Sequence, residues 1–177
     1  IQRAAIPSCI EGKDMIGIAQ TGTGKTLAFG IPTLQAMLQG KGHALIVLPT
    51  RELALQVDET LQKIGKPLGI RTAVLIGGAS MNLQRNMIRN RPHIVVCTPG
   101  RLIDHLEQKT ITLKSVAVLV LDEADRMLDM GFAPQINKIL AEVPPERQTM
   151  LFSATMPTAI VSIATKHMKL PLRVEVA

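Results

Sequence analysis

Aromatic side chains are almost missing from this sequence. Its 177 residues include three Phe and neither Tyr nor Trp, which excludes nucleic-acid recognition by bases stacked on ring platforms. Any nucleic acid bound here is held mainly by its backbone. Cysteine is scarce too: Cys9 and Cys97 lie far apart and form no CxxC pair. That excludes a disulfide framework and suits two isolated buried thiols in a reducing cytosol. His43, His93, His105 and His167 show no metal-ligand spacing, which argues against a zinc site. No uncharged apolar run is long enough to span a bilayer, and no basic-apolar leader opens the chain, so the expectation is a cytoplasmic protein without membrane contact. The Gly-x-Ser-x-Gly elbow of a serine hydrolase is absent. No repeat, low-complexity tract or linker interrupts the chain, and residues 1–177 read as one domain.

What is present is organised around Ala19-Gln20-Thr21-Gly22-Thr23-Gly24-Lys25-Thr26. The apolar run 15–19 leads into it and a helical pattern leaves it, the strand–loop–helix context of a Walker A phosphate loop. Gly22 and Gly24 let successive N–H groups turn toward one anion, and the helix start adds free N–H groups and a positive dipole end. Lys25 can reach the β- and γ-phosphates, and the Thr26 hydroxyl can ligate Mg²⁺. The first motif position is Ala19 rather than Gly.

The net charge of +6 and pI of about 9.7 point to a polyanionic partner. The excess is uneven: Arg85, Arg89, Arg91, Arg101, Lys109 and Lys114 face only Asp104 and Glu107 between residues 81 and 115.

Strand patterns at 15–19, 44–48, 70–76, 93–97, 116–121, 149–152 and 173–176 alternate with helical ones. This predicts an α/β domain, a doubly wound and mostly parallel sheet with helices on both faces. The helix from Thr26 to Gln39 should put Leu27, Ile31, Leu34 and Leu38 on one side and be distorted by Pro32. The helix capped by Ser80 should turn Leu83 and Met87 inward. In such a sheet every strand-to-helix loop emerges at the carboxyl edge, where ligands bind. The chemically unusual loops, 19–26, 49–51, 77–80, 98–101, 122–125 and 153–155, should therefore share that edge.

Asp122-Glu123-Ala124-Asp125 follows the strand 116–121 directly. A carboxylate at a strand tip beside a phosphate loop is where nucleotide-bound Mg²⁺ is held, the role expected of Asp122, with Glu123 orienting or deprotonating the attacking water. Thr98-Pro99-Gly100-Arg101 reads as a helix start built for an anion: Thr98 as cap, Pro99 at the first position, Arg101 adding charge. Pro49-Thr50-Arg51-Glu52 repeats the pattern.

Together these segments resemble the first, ATP-binding RecA-like half of a DEAD-box RNA helicase. Gln2 is similar to that family's Q-motif glutamine, Ala19 to Thr26 to motif I, and Pro49-Thr50-Arg51-Glu52-Leu53-Ala54 to motif Ia. Gly77-Gly78 matches the paired glycines, Thr98 to Arg101 motif Ib, Asp122 to Asp125 motif II, and Ser153-Ala154-Thr155 motif III. The resemblance implies that Gln2 reads the adenine edge and that Thr21, Gly22, Thr23, Gly24, Lys25 and Thr26 hold ATP. It implies that Thr26 and Asp122 hold Mg²⁺, partly through water, and that Lys25, Asp122 and Glu123 serve hydrolysis. Arg51, Gly78, Thr98 and Arg101 would contact RNA phosphates without reading sequence. Asp125 would couple through Ser153 and Thr155 to domain closure. The family's aromatic residue upstream of the Q motif and its second RecA-like domain have no counterpart here. The resemblance therefore implies half of an RNA-dependent ATPase, monomeric, binding nucleotide weakly and unwinding nothing alone.

A dinucleotide oxidoreductase is excluded, because the third glycine of Gly-x-Gly-x-x-Gly is replaced by Leu27 and no acid ends the strand 44–48. A small-molecule phosphotransferase would explain Lys25 and Asp122 but leave the loops at Thr50 and Thr98 without purpose. A non-catalytic RNA clamp would not need Lys25, Thr26, Asp122 and Glu123 together. Backbone contacts alone do not separate RNA from DNA.

Overall fold

Seven short strands, β1 (Met15–Ile18), β2 (His43–Val47), β3 (Thr72–Leu75), β4 (Ile94–Cys97), β5 (Val116–Leu121), β6 (Gln148–Ser153) and β7 (Leu172–Glu175), pair in parallel throughout. The architecture comes from a computed structural model that describes residues 1–20 and 24–175. Thr21, Gly22 and Thr23 of the phosphate loop lie outside the described residues. The described residues form eight α-helices, α1 (Gln2–Ile10) ahead of β1 and, between the strands, α2 (Lys25–Leu38), α3 (Arg51–Gly65), α4 (Met81–Arg89), α5 (Pro99–Glu107), α6 (Ala124–Asp129), α7 (Ala133–Glu142) and α8 (Thr158–His167).

The central strands are apolar on both faces because both faces are covered, whereas edge strand β7 is largely exposed. Met15, Ala44, Ile46, Val118, Val120, Met150 and Phe152 pack under α1, α2 and α3 with Phe29, Leu34 and Leu61. Ile16, Leu45, Val47, Leu119, Leu121 and Leu151 point the other way, against Leu102, Met127, Ile136, Ile139 and Ile160 of α5 to α8. The doubly wound expectation is met.

Local packing in α2 and α4 departs from a simple amphipathic pattern. α2 runs unbroken through Pro32, and the Thr33 hydroxyl donates to Phe29 O at 2.7 Å. Of Leu27, Ile31, Leu34 and Leu38, only Leu34 is in the core. α2 instead buries Ala28, Phe29, Gly30, Thr33, Ala36 and Met37, because it lies between the sheet, α1 and α3 and must bury more than one stripe. In α4, Leu83 is 65% exposed, Met87 is half-buried, and the buried residue is Gln84.

The strand order is β3-β4-β2-β5-β6-β1-β7. Parallel pairing brings the loops after β1 to β6 to one edge. The order also puts β6 between β1 and β5, and groups β2, β3 and β4 to one side. Asp14 and Gln148 tie the opposite edge. The Asp14 carboxylate accepts Thr149 N–H and Lys169 N–H, both at 2.8 Å, and Gln148 Nε2 donates to Cys9 O and Lys13 O at 2.8 and 3.0 Å.

Candidate nucleotide and nucleic-acid site

Lys25 opens α2 directly after Gly24, whose φ of +80° places it in the left-handed region that favours glycine. The lysine reaches past β6 to the tip of β5, where Nζ lies 3.2 Å from Asp122 Oδ1. Both side chains are buried, 7% and 5% exposed. Neighbouring parallel strands lie about 4.8 Å apart, so two strand intervals put β1 and β5 about 10 Å apart. A long cationic side chain closes that gap. Burial pushes the Asp122 carboxyl above the usual carboxylate range, against the lowering effect of Lys25; the Glu123 charge adds to the rise. Asp122 Oδ1 also accepts Glu123 N–H at 2.9 Å.

Glu123 sits at φ 52°, ψ 48°, a left-handed conformation for a non-glycine residue, immediately before α6. Such strain persists only where the surrounding structure over-determines it. Its carboxylate, 13% exposed, is 3.7 Å from Arg126.

Two residues on, Asp125 Oδ2 accepts the Thr155 hydroxyl at 2.9 Å and Thr155 N–H at 3.2 Å, while Oδ1 accepts Arg126 N–H at 2.9 Å. Burial opposes ionisation of Asp125, but hydrogen bonds from the Thr155 hydroxyl and from the Arg126 and Thr155 N–H groups outweigh it and hold its pKa below the ordinary value. Ser153 itself is fully buried at the end of β6. Of the three residues expected to couple, Asp125 of α6 and Thr155 are bonded to each other just beyond Ser153, the last residue of β6, the strand that separates Lys25's strand from Asp122's.

Gln2 begins α1, which packs on α2, and its Nε2 donates to Gly24 O at 3.4 Å. A Cβ on Gly24 would stand 2.5 Å from that nitrogen. The glutamine amide therefore rests on the exit of the phosphate loop. Thr26 occupies the second position of α2, half-buried.

The remaining expected residues lie on the β3-β4-β2 side. Thr50 caps α3 by accepting Leu53 N–H at 3.3 Å, and Arg51 follows it, exposed. The Arg51 guanidinium lies on Gly78, whose φ is +79°, and a Cβ there would collide with Nη1. Glycine is required at this point by both backbone and contact. Thr98 begins α5 but makes no side-chain cap, contrary to expectation; at φ −96°, ψ 152° its hydroxyl is not committed to the helix start. Arg101 is more enclosed than a phosphate-binding arginine was expected to be. Its side chain is 14% exposed, with Nη1 donating to Ala79 O at 2.9 Å and to Gln84 Oε1 at 3.3 Å, and Nε 3.6 Å from Asp104.

Gln84 and His105 were not legible as site residues. Gln84 is 1% exposed and His105 fully buried, and His105 Nε2 meets Gln84 Oε1 at 2.7 Å. Burial lowers the His105 pKa, aided by Arg101 and Arg85 and opposed by Asp104. An amphipathic reading of α4 looks for apolar residues and passes over a buried amide.

Residues 1–163 match the DEAD/DEAH box helicase family. The chain belongs to this family. It is 46% identical over its whole length to the ATP-dependent rRNA helicase RRP3 of Yarrowia lipolytica, covering 38% of that protein. It is 48% identical to the DEAD-box ATP-dependent RNA helicase CshA of Streptococcus pneumoniae, covering 34% of it. In fold it is similar to the crystal structure of a hypothetical ATP-dependent RNA helicase from Sulfolobus tokodaii, with a TM-score of 0.91 and 38% identity over 99% of this chain and 51% of that one. The yeast DEAD-box splicing factor Prp28 matches with a TM-score of 0.87 and 38% identity, over 93% of this chain and 41% of that one. The chain thus spans little more than a third of the curated relatives' length. No helix among the described residues is long and apolar enough to cross a membrane.

Proposed function

We propose that this chain is the ATP-binding RecA-like half of an ATP-dependent RNA helicase, which hydrolyses ATP and remodels RNA when joined to a second RecA-like domain. The observation that carries the reading is the buried Lys25–Asp122 pair at 3.2 Å. A carboxylate and an ammonium out of water cost several kcal/mol of hydration each and add little to stability, so their retention here fits a site for phosphate and a cation.

Thr21, Gly22, Thr23, Gly24 and Lys25 would hold the phosphates, and Gln2 the adenine edge. The donor set fits Mg²⁺: a carboxylate and a hydroxyl are hard oxygen ligands, and no cluster of three His, Cys, Asp or Glu among the described residues provides an all-protein cage. Thr26 and Asp122 would hold the ion, which when bound offsets phosphate charge. Glu123, held in place by its own strained backbone, would orient the attacking water and accept its proton. Asp125, with Ser153 and Thr155, would transmit the state of that site along β6.

Arg51, Gly78, Thr98 and Arg101 would contact RNA phosphates, with Arg51 the exposed cation and the uncapped Thr98 hydroxyl a donor. The monomeric state and cytoplasmic location are part of the same proposal; two unpaired, buried thiols agree with the latter. Calorimetric titration with ATP and Mg²⁺ tests the core of it. Lys25→Ala should lose most binding, since a charge-assisted contact contributes about 1.5–3 kcal/mol. Equal affinities for the two proteins reject the assignment.

A further inference from the structure

Gln84 is a polar residue in the one buried position of α4. Its Nε2 donates to Ile76 O at 2.8 Å, at the start of the loop that carries Gly77 and Gly78. Its Oε1 accepts from Arg101 Nη1 at 3.3 Å and meets His105 Nε2 at 2.7 Å, both on α5. Arg101 returns to the same loop through Ala79 O at 2.9 Å.

The amide orientation is fixed by its neighbours. The Ile76 carbonyl needs a donor and the Arg101 guanidinium an acceptor, so reversing the amide would break both bonds. His105 must then carry its proton on Nε2. Its Nδ1 lies 2.8 Å from Thr110 Oγ1. The His105 carbonyl accepts Thr110 N–H at 3.0 Å and also lies 3.1 Å from Thr110 Oγ1, so with Nε2 protonated the hydroxyl proton is shared between that carbonyl and Nδ1. No buried side-chain nitrogen or oxygen of Gln84, Arg101, His105 or Thr110 lacks a hydrogen-bond partner, as a buried network requires.

We infer that Gln84 is a positioning residue for RNA binding: with His105 it locks the Gly77–Ala79 loop and the Arg101 helix start into one rigid phosphate cradle. The inference rests on the RNA contacts proposed above. The β3 and β4 loops are joined directly by Thr98 N–H to Leu75 O at 3.1 Å and Arg101 Nη1 to Ala79 O at 2.9 Å, bonds that leave the loop segments between them room to shift by the fraction of an ångström that weakens a charge-assisted bond. Gln84 removes that freedom from beneath without touching RNA.

The test is fluorescence anisotropy of a labelled uridine homopolymer at low salt, in a cycle of Gln84→Met, Arg101→Ala and the double variant. Gln84→Met should weaken RNA binding by about three- to tenfold, leave ATP affinity unchanged, and show a coupling of about threefold or more with Arg101→Ala. Histidine ¹⁵N shifts should place the His105 proton on Nε2 in the parent chain. Thr110→Val, which removes only the distal partner of His105, should give a smaller loss of the same sign, and it serves if Gln84→Met does not fold. If Arg101→Ala weakens binding but Gln84→Met and Thr110→Val do not, the inference is overturned while the RNA reading stands. Full additivity, or a proton on Nδ1 alone, also overturns it. If Arg51→Ala and Arg101→Ala both bind RNA like the parent, the RNA reading itself is wrong, and the inference with it.

Discussion

Two non-glycine residues with positive φ show how differently strain can be used. Leu170 has φ 41° and is fully exposed, so its side chain gains nothing from packing to offset the left-handed backbone. Glu123 has φ 52° but lies between Asp122 and the start of α6 with its carboxylate largely enclosed. Asn tolerates the left-handed region better than Leu because its short polar side chain bonds locally. Leu170→Asn should therefore stabilise the fold by about 0.5–1 kcal/mol, visible as a higher denaturant midpoint with unchanged slope, and leave nucleotide affinity alone. Glu123→Gly should also hold or raise stability, yet abolish ATP turnover in the two-domain protein. A Leu170→Asn variant less stable than the parent would show that this turn is not strained.

At the scale of elements, the loops are held from both ends of the sheet. Asp125 and Thr155 tie the start of α6 to the end of β6 on the ligand edge. Asp14 ties β1 to β6 and to the segment before β7 on the other, accepting Thr149 N–H and Lys169 N–H. Asp14→Ala would leave two backbone donors without partners, Thr149's fully buried. Lys169 is exposed and its N–H can turn to water, so at about 1–3 kcal/mol for one buried unmet donor the loss should be about 1–3 kcal/mol in urea unfolding. Nucleotide affinity of the folded fraction should be unchanged, because the site lies at the far end of every strand. Such a variant failing to bind ATP while folded would mean the two edges are coupled. The Asp125 tie has the opposite pH character from a buried neutral acid. Its pKa is lowered on folding, so its contribution is present above the ordinary aspartate range and is lost as pH falls through the depressed value.

Across the whole molecule, strand order sorts the chemistry. β2, β3 and β4 are contiguous and carry the loops of Arg51, Gly78 and Thr98, whereas β5, β6 and β1 are contiguous and carry Asp122, Thr155 and Lys25. One sheet edge thus carries the residues proposed for RNA on one side and those proposed for nucleotide on the other, the two groups meeting between β2 and β5. No arginine in the described structure contacts the Lys25–Asp122 pair, and an arginine supplied from across a cleft contributes roughly 10³–10⁵ in rate. This chain alone should hydrolyse ATP negligibly, and joining a second RecA-like domain should restore RNA-stimulated turnover. Phosphate release by the isolated chain at about 1 s⁻¹ or faster, in the range of ordinary enzymes, would contradict the two-domain proposal.

Much of this was written in the sequence, for a physical reason. Alternating apolar runs and helical patterns specify a parallel sheet covered on both faces. Parallel pairing alone then sends every strand-to-helix loop to one edge, so the convergence of Lys25, Asp122 and Thr155 on that edge was determined before any contact was known. A backbone-driven feature, the Thr50 cap on Leu53 N–H, was legible as well, because it depends on neighbours in the chain. Three things depended on neighbours in space. Strand order put β6 between β1 and β5, a consequence of which helix packs on which face rather than of local pattern. The burial of α2 on several sides and its tolerance of Pro32 followed from its place between sheet, α1 and α3. The inward turn of Gln84, with Leu83 left outside, was decided by partners from two other loops: Ile76 O, Arg101 and His105 give a buried amide all its hydrogen bonds, and no amphipathic pattern within α4 can announce that.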